Sequence, residues 1–266
     1  MAGRTMTDQA RYTTFWGTLG GTFPSLKGAR STQYYFECER WLLETFLPKL
    51  QGQSLFKTDL WDEAKNTEIL RWASEQGACP HGVDIAFEVV RDARAVLAPF
   101  CPGLAVSDVR ALPFSEAAFD VVYSMGTIEH FADSNVAVRE IVRVLKPGGT
   151  AIIGVPNKLD PFLRPLMVHL LNKLGRYSYG MEKSFTASGL RRLLESEGLH
   201  VTAVSGLHFM PGWLRMLHLL CHTRRPRLAK VTGWLVEPFR WVYRHVPAVR
   251  RHGYLIACIA TKPITN

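Results

Sequence analysis

Strand signals alternate with helix signals through the middle of the chain, and this alternation limits the possible folds more than any other feature. Between helical patterns at about 67–76, 87–97 and 133–145 lie short apolar runs, at 54–57, 82–85, 105–106, 119–124 and 150–155. Strands that alternate with helices of this length predict a parallel, doubly wound α/β sheet. The uninterrupted apolar run at 150–155 indicates a strand that is buried on both faces.

Two further strand signals complete the sheet. A helix at about 188–197 precedes a strand at 200–205, and the last strand signal covers 253–261. No crossover helix stands directly before the last strand, and antiparallel pairing does not need one. The sequence therefore predicts a seven-stranded, mostly parallel sheet whose last strand is antiparallel.

Composition excludes several classes of protein. The 266 residues are 47% hydrophobic and 21% charged, as expected for a globular protein with a full core. No stretch approaches the ~18 consecutive apolar residues of a membrane span, and the first residues lack the apolar segment of a secretion signal. The five cysteines are scattered and show no metal-ligand spacing. We therefore expect a cytoplasmic protein with reduced thiols and without a metal.

Two segments lie outside the strand–helix rhythm. Residues 1–50 contain an aromatic, helix-prone stretch, and residues 206–252 are rich in Trp, Arg and Pro. We expect three parts: a helical N-terminal cover at 1–50, a core at 51–205 plus 253–266, and a helical insertion at 206–252. Both outer segments can cover the sheet edge at which doubly wound folds bind ligands.

The insertion holds most of the positive charge. From Pro211 to His252 there are nine Lys and Arg residues against one acid, Glu237, which gives +8 of a total of +9. The pattern predicts an amphipathic helix at 212–222 and a second one at 231–246, bent at Pro238. Such a segment can be a lid with solvated arginines, a peripheral contact to the anionic inner membrane surface, or a site for an anionic substrate. Nucleic acid is disfavoured because no recognised binding module is present.

The stretch KTDLWDEAKN, residues 57–66, follows the first strand signal. Nucleotide-binding sheets usually place glycines in this turn, because the backbone must approach the ligand closely. This turn has no glycine and carries three carboxylates, Asp59, Asp62 and Glu63. The chain therefore either binds no nucleotide or binds it in an unusual way.

A long ordered motif then resembles a known family. The segment DVRALPFSEAAFDVVYSMGTIEHFADSNVAVREIVRVLKPGGTAIIGVPN, residues 108–157, is similar to class I S-adenosylmethionine-dependent methyltransferases of the type 11-like small-molecule group. The resemblance extends over 54–205 and 253–263. It implies a Rossmann-like fold, S-adenosylmethionine as cofactor, S-adenosylhomocysteine as product, no metal, and a small-molecule or lipid-linked acceptor.

Several acids stand where such a fold binds its cofactor. Asp84, followed by Ile85, ends the second strand and can accept hydrogen bonds from both ribose hydroxyls. Asp108 follows the third strand and can bind the adenine amino group, while the amide of Val109 meets the ring edge. By the resemblance, Asp59 takes the place of the acid of the first motif. Its distance of 25 residues from Asp84 favours an enlarged loop.

The methionyl end of the cofactor has further candidates. The carbonyl groups of Ser124 and Met125, at the end of the fourth strand, can bind the methionyl ammonium, as can Asp59 or Asp62. Lys57 or Lys65 can bind its carboxylate.

Glu129 and His130 follow the fourth strand and are the catalytic candidates. Methyl transfer to an oxygen needs a base, and a histidine titrates near neutral pH. His130 is the first candidate and Glu129 the second, and His169, His208 and His218 of the outer segments are further ones. The competing hypothesis is a non-catalytic binding protein that kept the fold and lost the glycine turn. Turnover of bound cofactor would separate the two.

Overall fold

The computed structural model describes residues 8–47 and 49–264. Seven strands are found in these residues, one for each strand predicted from the sequence. In chain order they are β1 (Ser54–Lys57), β2 (Cys79–Asp84), β3 (Gly103–Val106), β4 (Phe119–Met125), β5 (Leu145–Pro156), β6 (His200–Leu207) and β7 (Leu255–Thr261). They form one sheet in the order β3-β2-β1-β4-β5-β7-β6. Only β7 runs against its neighbours β5 and β6. The mostly parallel sheet and the antiparallel last strand are therefore confirmed.

The helices lie before, between and after these strands. They are α1 (Asp8–Thr22), α2 (Arg30–Phe46), α3 (Trp61–Lys65), α4 (Ile69–Glu75), α5 (Phe87–Leu97), α6 (Ser134–Val144), α7 (Arg164–Lys173), α8 (Ala187–Ser196), α9 (Gly212–Arg224), α10 (Pro226–Trp234) and α11 (Glu237–His245). Asp133 caps α6, because its carboxylate accepts the Asn135 N–H at 3.0 Å. No helix among the described residues is long and apolar enough to span a membrane.

The core has one layer on each face of the sheet. Side chains alternate along a strand, so Val121 and Tyr123 of β4 pack in one layer and Val122 in the other. The first layer contains α2, α4 and α5, and the second contains α6 and α8. Both faces of the central strands are therefore buried, as the apolar runs predicted.

One local prediction was wrong. The segment 231–246 is not one bent helix but two helices, α10 and α11, because Pro238 lies in the first turn of α11, where its missing N–H costs nothing. The enlarged connection between β1 and β2 contains a short helix, α3, before α4, which corresponds to the helix predicted at about 67–76. The division of the chain at residues 50, 206 and 252 stays a prediction.

Candidate active site

A cavity of about 280 Å³ lies at the carboxyl ends of the parallel strands. Its floor is formed by residues that follow β1, β2, β3 and β4, and its cover by α1, α2, α9 and the connection between β5 and α8. This is the edge at which doubly wound sheets bind ligands, because several strand ends and helix starts meet there. Both outer segments of the chain thus contribute to the cover.

The glycine-free turn is organised by a buried lysine. The Lys57 side chain is fully buried, and its ammonium lies 3.1 Å from Asp59 Oδ1, 2.9 Å from Asp62 Oδ2 and 3.4 Å from Glu63 Oε2. Burial favours the neutral form of Lys57, but the three carboxylates together raise its pKa well above the usual value. These four residues, here called the Lys57 cluster, hold the turn against α3.

Leu60 shows how this turn dispenses with glycine. A Cβ on Gly82 of β2 would lie 2.6 Å from Leu60 Cδ2, so the leucine side chain occupies the space above a glycine of the neighbouring strand. The glycine that permits the turn to pack closely on the sheet is therefore Gly82 of β2 and not a residue of the turn itself. The N–H of Leu60 donates to Asp84 Oδ2 at 3.0 Å, which ties the turn to the end of β2.

Asp84 lies at the cavity wall beside Ile85. Its other carboxyl oxygen accepts the N–H of Ala86 at 2.9 Å. Burial raises the pKa of Asp84 to about 7, against the lowering effect of these two backbone hydrogen bonds. Each oxygen keeps a lone pair, so the carboxylate can still accept hydrogen bonds from a diol.

Asp108 and Val109 lie on the same wall, beyond β3. Asp108 forms a bidentate ion pair with Arg110, with 2.6 Å from Oδ2 to Nη2 and 3.0 Å from Oδ1 to Nε. The Arg110 guanidinium in turn lies 4.7 Å from the ring centre of Phe131. Asp108 is thus held in place by a neighbour that the sequence did not single out.

The end of β4 brings a second group of residues to the cavity. Met125 and Thr127 line it, and the Thr127 hydroxyl donates to Asp59 Oδ2 at 3.0 Å. Burial raises the pKa of Asp59, against the opposing effect of Lys57. Ser124 is buried behind this wall, and its hydroxyl accepts a hydrogen bond at 2.8 Å from Thr58, which does line the cavity.

His130 is fixed in one orientation and one tautomer. Its Nδ1 lies 2.8 Å from the carbonyl oxygen of Met181, and Trp16 packs edge-on against the ring at 4.9 Å. A carbonyl oxygen only accepts, so Nδ1 carries the proton and Nε2 is an acceptor in the neutral ring. Burial lowers the pKa of His130, which keeps the ring neutral at physiological pH.

Glu129 is a buried acid beside this histidine. It is 2% exposed, lines the cavity, and its Oε2 has no hydrogen-bond partner within the described part of the chain. Burial, and then the charge of Glu182, raise the pKa of Glu129 well above its usual value. A protonated carboxyl can donate a hydrogen bond and an ionised one can accept it, so the group can bind a polar ligand atom.

The connection between β5 and α8 adds residues that sequence reasoning missed. Arg164 is 3% exposed and pairs with Glu182, at 2.5 Å and 3.0 Å between their atoms. Tyr177 donates to the same carboxylate, and the Arg164 guanidinium lies 4.2 Å from the Tyr254 ring centre. All four side chains line the cavity. The length of this connection was the available signal, because long ordered loops are often functional.

Comparisons with known proteins agree with this geometry. A family model described as a methyltransferase domain matches residues 65–153. A 2-methyl-6-phytyl-1,4-hydroquinone methyltransferase from Synechocystis is 28% identical over 192 residues, which are 66% of this chain and 57% of that protein. These matches support a class I S-adenosylmethionine-dependent methyltransferase, with the family match itself confined to residues 65–153.

Further relatives fit the same family. A ubiquinone biosynthesis O-methyltransferase from Aeromonas salmonicida is 30% identical over 97 residues, which are 35% of this chain and 40% of that protein. This chain thus matches about half of the length of these two relatives. An S-adenosylmethionine-dependent methyltransferase from Mesorhizobium loti shares the fold, with a TM-score of 0.58 and 17% identity over 90% of this chain and 100% of that one.

Most site residues predicted from the sequence come together at the cavity. Eight of the nine line it: Asp59, Asp84, Ile85, Asp108, Val109, Met125, Glu129 and His130. Asp62 and Trp61 of the turn line it as well. The ninth residue, Ser124, lies beneath this surface.

Several other candidates are engaged elsewhere in the protein. Lys57 is buried in its cluster, and Lys65 pairs with Asp92 at 3.0 Å, so neither is free to hold a cofactor carboxylate. His208 lies buried with its Nδ1 2.8 Å from Arg215, and His218 bonds the Ser31 hydroxyl at 2.8 Å. His169 is exposed on α7. The structure brings none of these five side chains to the cavity wall.

Proposed function

We propose that this chain transfers the methyl group of S-adenosylmethionine to a small-molecule acceptor bound in the same cavity. The observation that carries the proposal is the convergence of four acids, Asp59, Asp84, Asp108 and Glu129, with the neutral His130 in the lining of one cavity. This set offers acceptors for hydroxyl, amino and ammonium groups together with a base. S-adenosylmethionine supplies an electrophilic methyl group on a sulfonium for in-line displacement.

The strand ends supply the proposed contacts to the cofactor. Asp84, with Ile85 beside it, accepts the ribose hydroxyls, and Asp108 with the amide of Val109 meets the adenine edge. Asp59, held by Thr127 and Lys57, takes the methionyl ammonium. The carbonyl groups of Ser124 and Met125 are further acceptors for that ammonium.

His130 is the proposed general base. Its Nδ1–H is committed to the Met181 carbonyl, so Nε2 can take the proton from an acceptor hydroxyl as the new bond to carbon forms. S-adenosylmethionine would supply the methyl group and a neutral leaving thioether, and the His130 imidazole would hold the proton that the acceptor loses. Glu129 orients the acceptor through its unpaired oxygen.

The acceptor we infer is a small molecule with a lipid-like part. The two named relatives concern a phytyl hydroquinone and ubiquinone biosynthesis. In this chain, Met216 and Leu219 of α9 add apolar side chains to the cavity lining. These apolar side chains suit a hydrocarbon part, and the acids and His130 suit a polar head.

Calorimetric titration with S-adenosylmethionine and S-adenosylhomocysteine tests the first step. We expect binding that Asp84→Ala abolishes and that His130→Asn leaves unchanged, because Asn keeps a donor near the Met181 carbonyl and has no base. Transfer of labelled methyl to a panel of phenols, hydroquinones and amines tests the second step. In that assay His130→Asn should lower kcat by about 10²–10⁴-fold for a hydroxyl acceptor.

The outcomes separate the competing functions. Binding of both ligands without transfer to any acceptor supports the non-catalytic binding protein. No heat with either ligand contradicts the cofactor assignment itself. Equal kcat in the His130→Asn variant and the wild type would remove His130 as the base while leaving methyl transfer in place.

A further inference from the structure

α7 presents an apolar face that nothing in residues 8–47 and 49–264 covers. Four leucines at helical spacing on and beside this helix are between half and two thirds exposed: Leu163, Leu166, Leu170 and Leu174. A shallow groove beside them is lined only by apolar side chains of residues 162–171. A surface helix normally turns such a stripe towards the core. Contiguous exposed apolar surface of this kind marks a contact site.

The same surface continues over two helices of the insertion. α7 packs against α9, and α9 packs against α10. Each of the two insertion helices has its own exposed apolar side chains, Trp213, Leu217 and Leu220 on α9 and Leu228, Val231 and Trp234 on α10. The exposed side chains of the three neighbouring helices are here called the apolar face.

Positive charge borders this face. Arg224, Arg225, Arg227 and Lys230 are exposed at the α9–α10 junction and form no salt bridge with any described acid. Their positions lie one helical turn from apolar-face residues, as in the pairs Leu220 with Arg224 and Lys230 with Trp234. These four cations are called the basic rim.

Three other cations of the insertion have partners on the N-terminal helices. Arg240 and Arg244 bind Glu37 of α2, and Arg250 lies 4.6 Å from the Trp41 ring centre. They therefore fasten the insertion to the N-terminal helices. The positive charge of the insertion thus serves two purposes. Some cations bind the N-terminal helices, and the four of the basic rim stay exposed.

The cavity opens beside the apolar face. Met216 of α9 lines the cavity and is 39% exposed, and Arg176, just after α7, lines the cavity and is exposed as well. Met216 lies on α9, which carries part of the apolar face, and Arg176 follows α7 directly. The cavity mouth and the apolar face therefore adjoin each other.

We propose that the apolar face and the basic rim dock on an anionic lipid bilayer and place the cavity mouth on it. The leucines and tryptophans enter the interface, while the rim binds anionic head groups. A second copy of the chain fits less well, since a two-fold contact would bring the basic rim close to itself. Resting on the proposed function, the acceptor is then an amphiphile whose head enters the cavity while its hydrocarbon part stays in the bilayer.

Sedimentation of the full chain with vesicles tests the docking. We expect binding to phosphatidylglycerol-containing vesicles, little binding to pure phosphatidylcholine, and weaker binding at high salt. Leu166→Asp with Leu170→Asp should abolish binding. Phe87→Asp is the matched control, because Phe87 is 62% exposed on α5, outside the apolar face.

Charge variants test the rim separately. Arg224→Glu with Arg227→Glu should weaken binding by more than about 30-fold, since each basic residue lost near an anionic membrane is worth ~1 kcal/mol and the new carboxylates add repulsion. Arg192→Glu is the control, because Arg192 is exposed on α8, outside the rim. Failure of the wild type to bind anionic vesicles, or unchanged binding of the leucine pair, would overturn the proposal.

Two measurements keep the inferences apart. Sedimentation velocity without lipid would overturn docking if it showed a dimer that the Leu166→Asp, Leu170→Asp variant loses, because the face would then join two copies. Calorimetry with S-adenosylmethionine on the same variants reports on cofactor binding alone. If the protein binds vesicles as expected but calorimetry detects no binding of S-adenosylmethionine, the proposed function is refuted and docking stands. If it binds S-adenosylmethionine but not vesicles, docking is refuted and the proposed function stands.

Discussion

Replacing Lys57 by methionine removes the one cation of a buried cluster with three carboxylates. The Lys57 ammonium is fully buried and lies 2.9–3.4 Å from Asp59, Asp62 and Glu63. Removing one partner of a buried ion pair typically costs about 3–5 kcal/mol, since the remaining charge stays buried without compensation. Lys65→Met is the matched control from the same turn. Its partly exposed pair with Asp92 is worth ~0–1 kcal/mol.

Urea unfolding followed by tryptophan fluorescence measures both variants. Without the ammonium, burial raises the pKa of Glu63 beyond its present value of about 7. A carboxyl whose pKa is higher in the folded state contributes stability at low pH that is lost as the pH rises through that pKa. The deficit of Lys57→Met should therefore be small near pH ~5 and largest above pH ~8. A deficit equal to that of Lys65→Met, or one independent of pH, would refute this account of the turn.

Three further changes probe the site. Because burial raises the pKa of Asp84 to about 7, affinity for S-adenosylmethionine measured by calorimetry should rise from pH ~6 to ~8, and Asp84→Asn should bind weakly with no such rise. Arg164→Met should cost about 3–5 kcal/mol in urea unfolding, and Glu182→Gln in addition should restore part of it. Gly82→Ala should cost about 1–3 kcal/mol because its Cβ meets Leu60, and the double variant with Leu60→Ala should lose less than the sum of the two single losses. The first expectation fails if the affinity of the wild type does not change with pH. The second fails if Arg164→Met unfolds with the free energy of the wild type, and the third fails if the Gly82→Ala and Leu60→Ala losses add in full.

Local pattern was sufficient for the elements of the sheet. The helix predicted at about 87–97 is Phe87–Leu97, and the strand predicted at 54–57 is Ser54–Lys57. Helical and strand periodicities depend on neighbours in the chain, so one sequence reveals them. The positions of Asp84 and Asp108 followed in the same way, because parallel strands end at one edge. The end of one helix and the start of the next near Pro238 could not be predicted in this way, since a proline can either bend a helix or begin one.

The sequence by itself determined the order of strands and helices, the family, and which acids stand at strand ends. Only the tertiary structure decided where the side chains of the glycine-free turn go. Lys57 is buried against its own carboxylates rather than free for a ligand, and Leu60 packs on Gly82, a residue of another strand. Arg164 and Glu182 reach the cavity from a connection without a recognisable motif. Burial and contacts between distant residues decide these points, and neither is a property of a local sequence pattern.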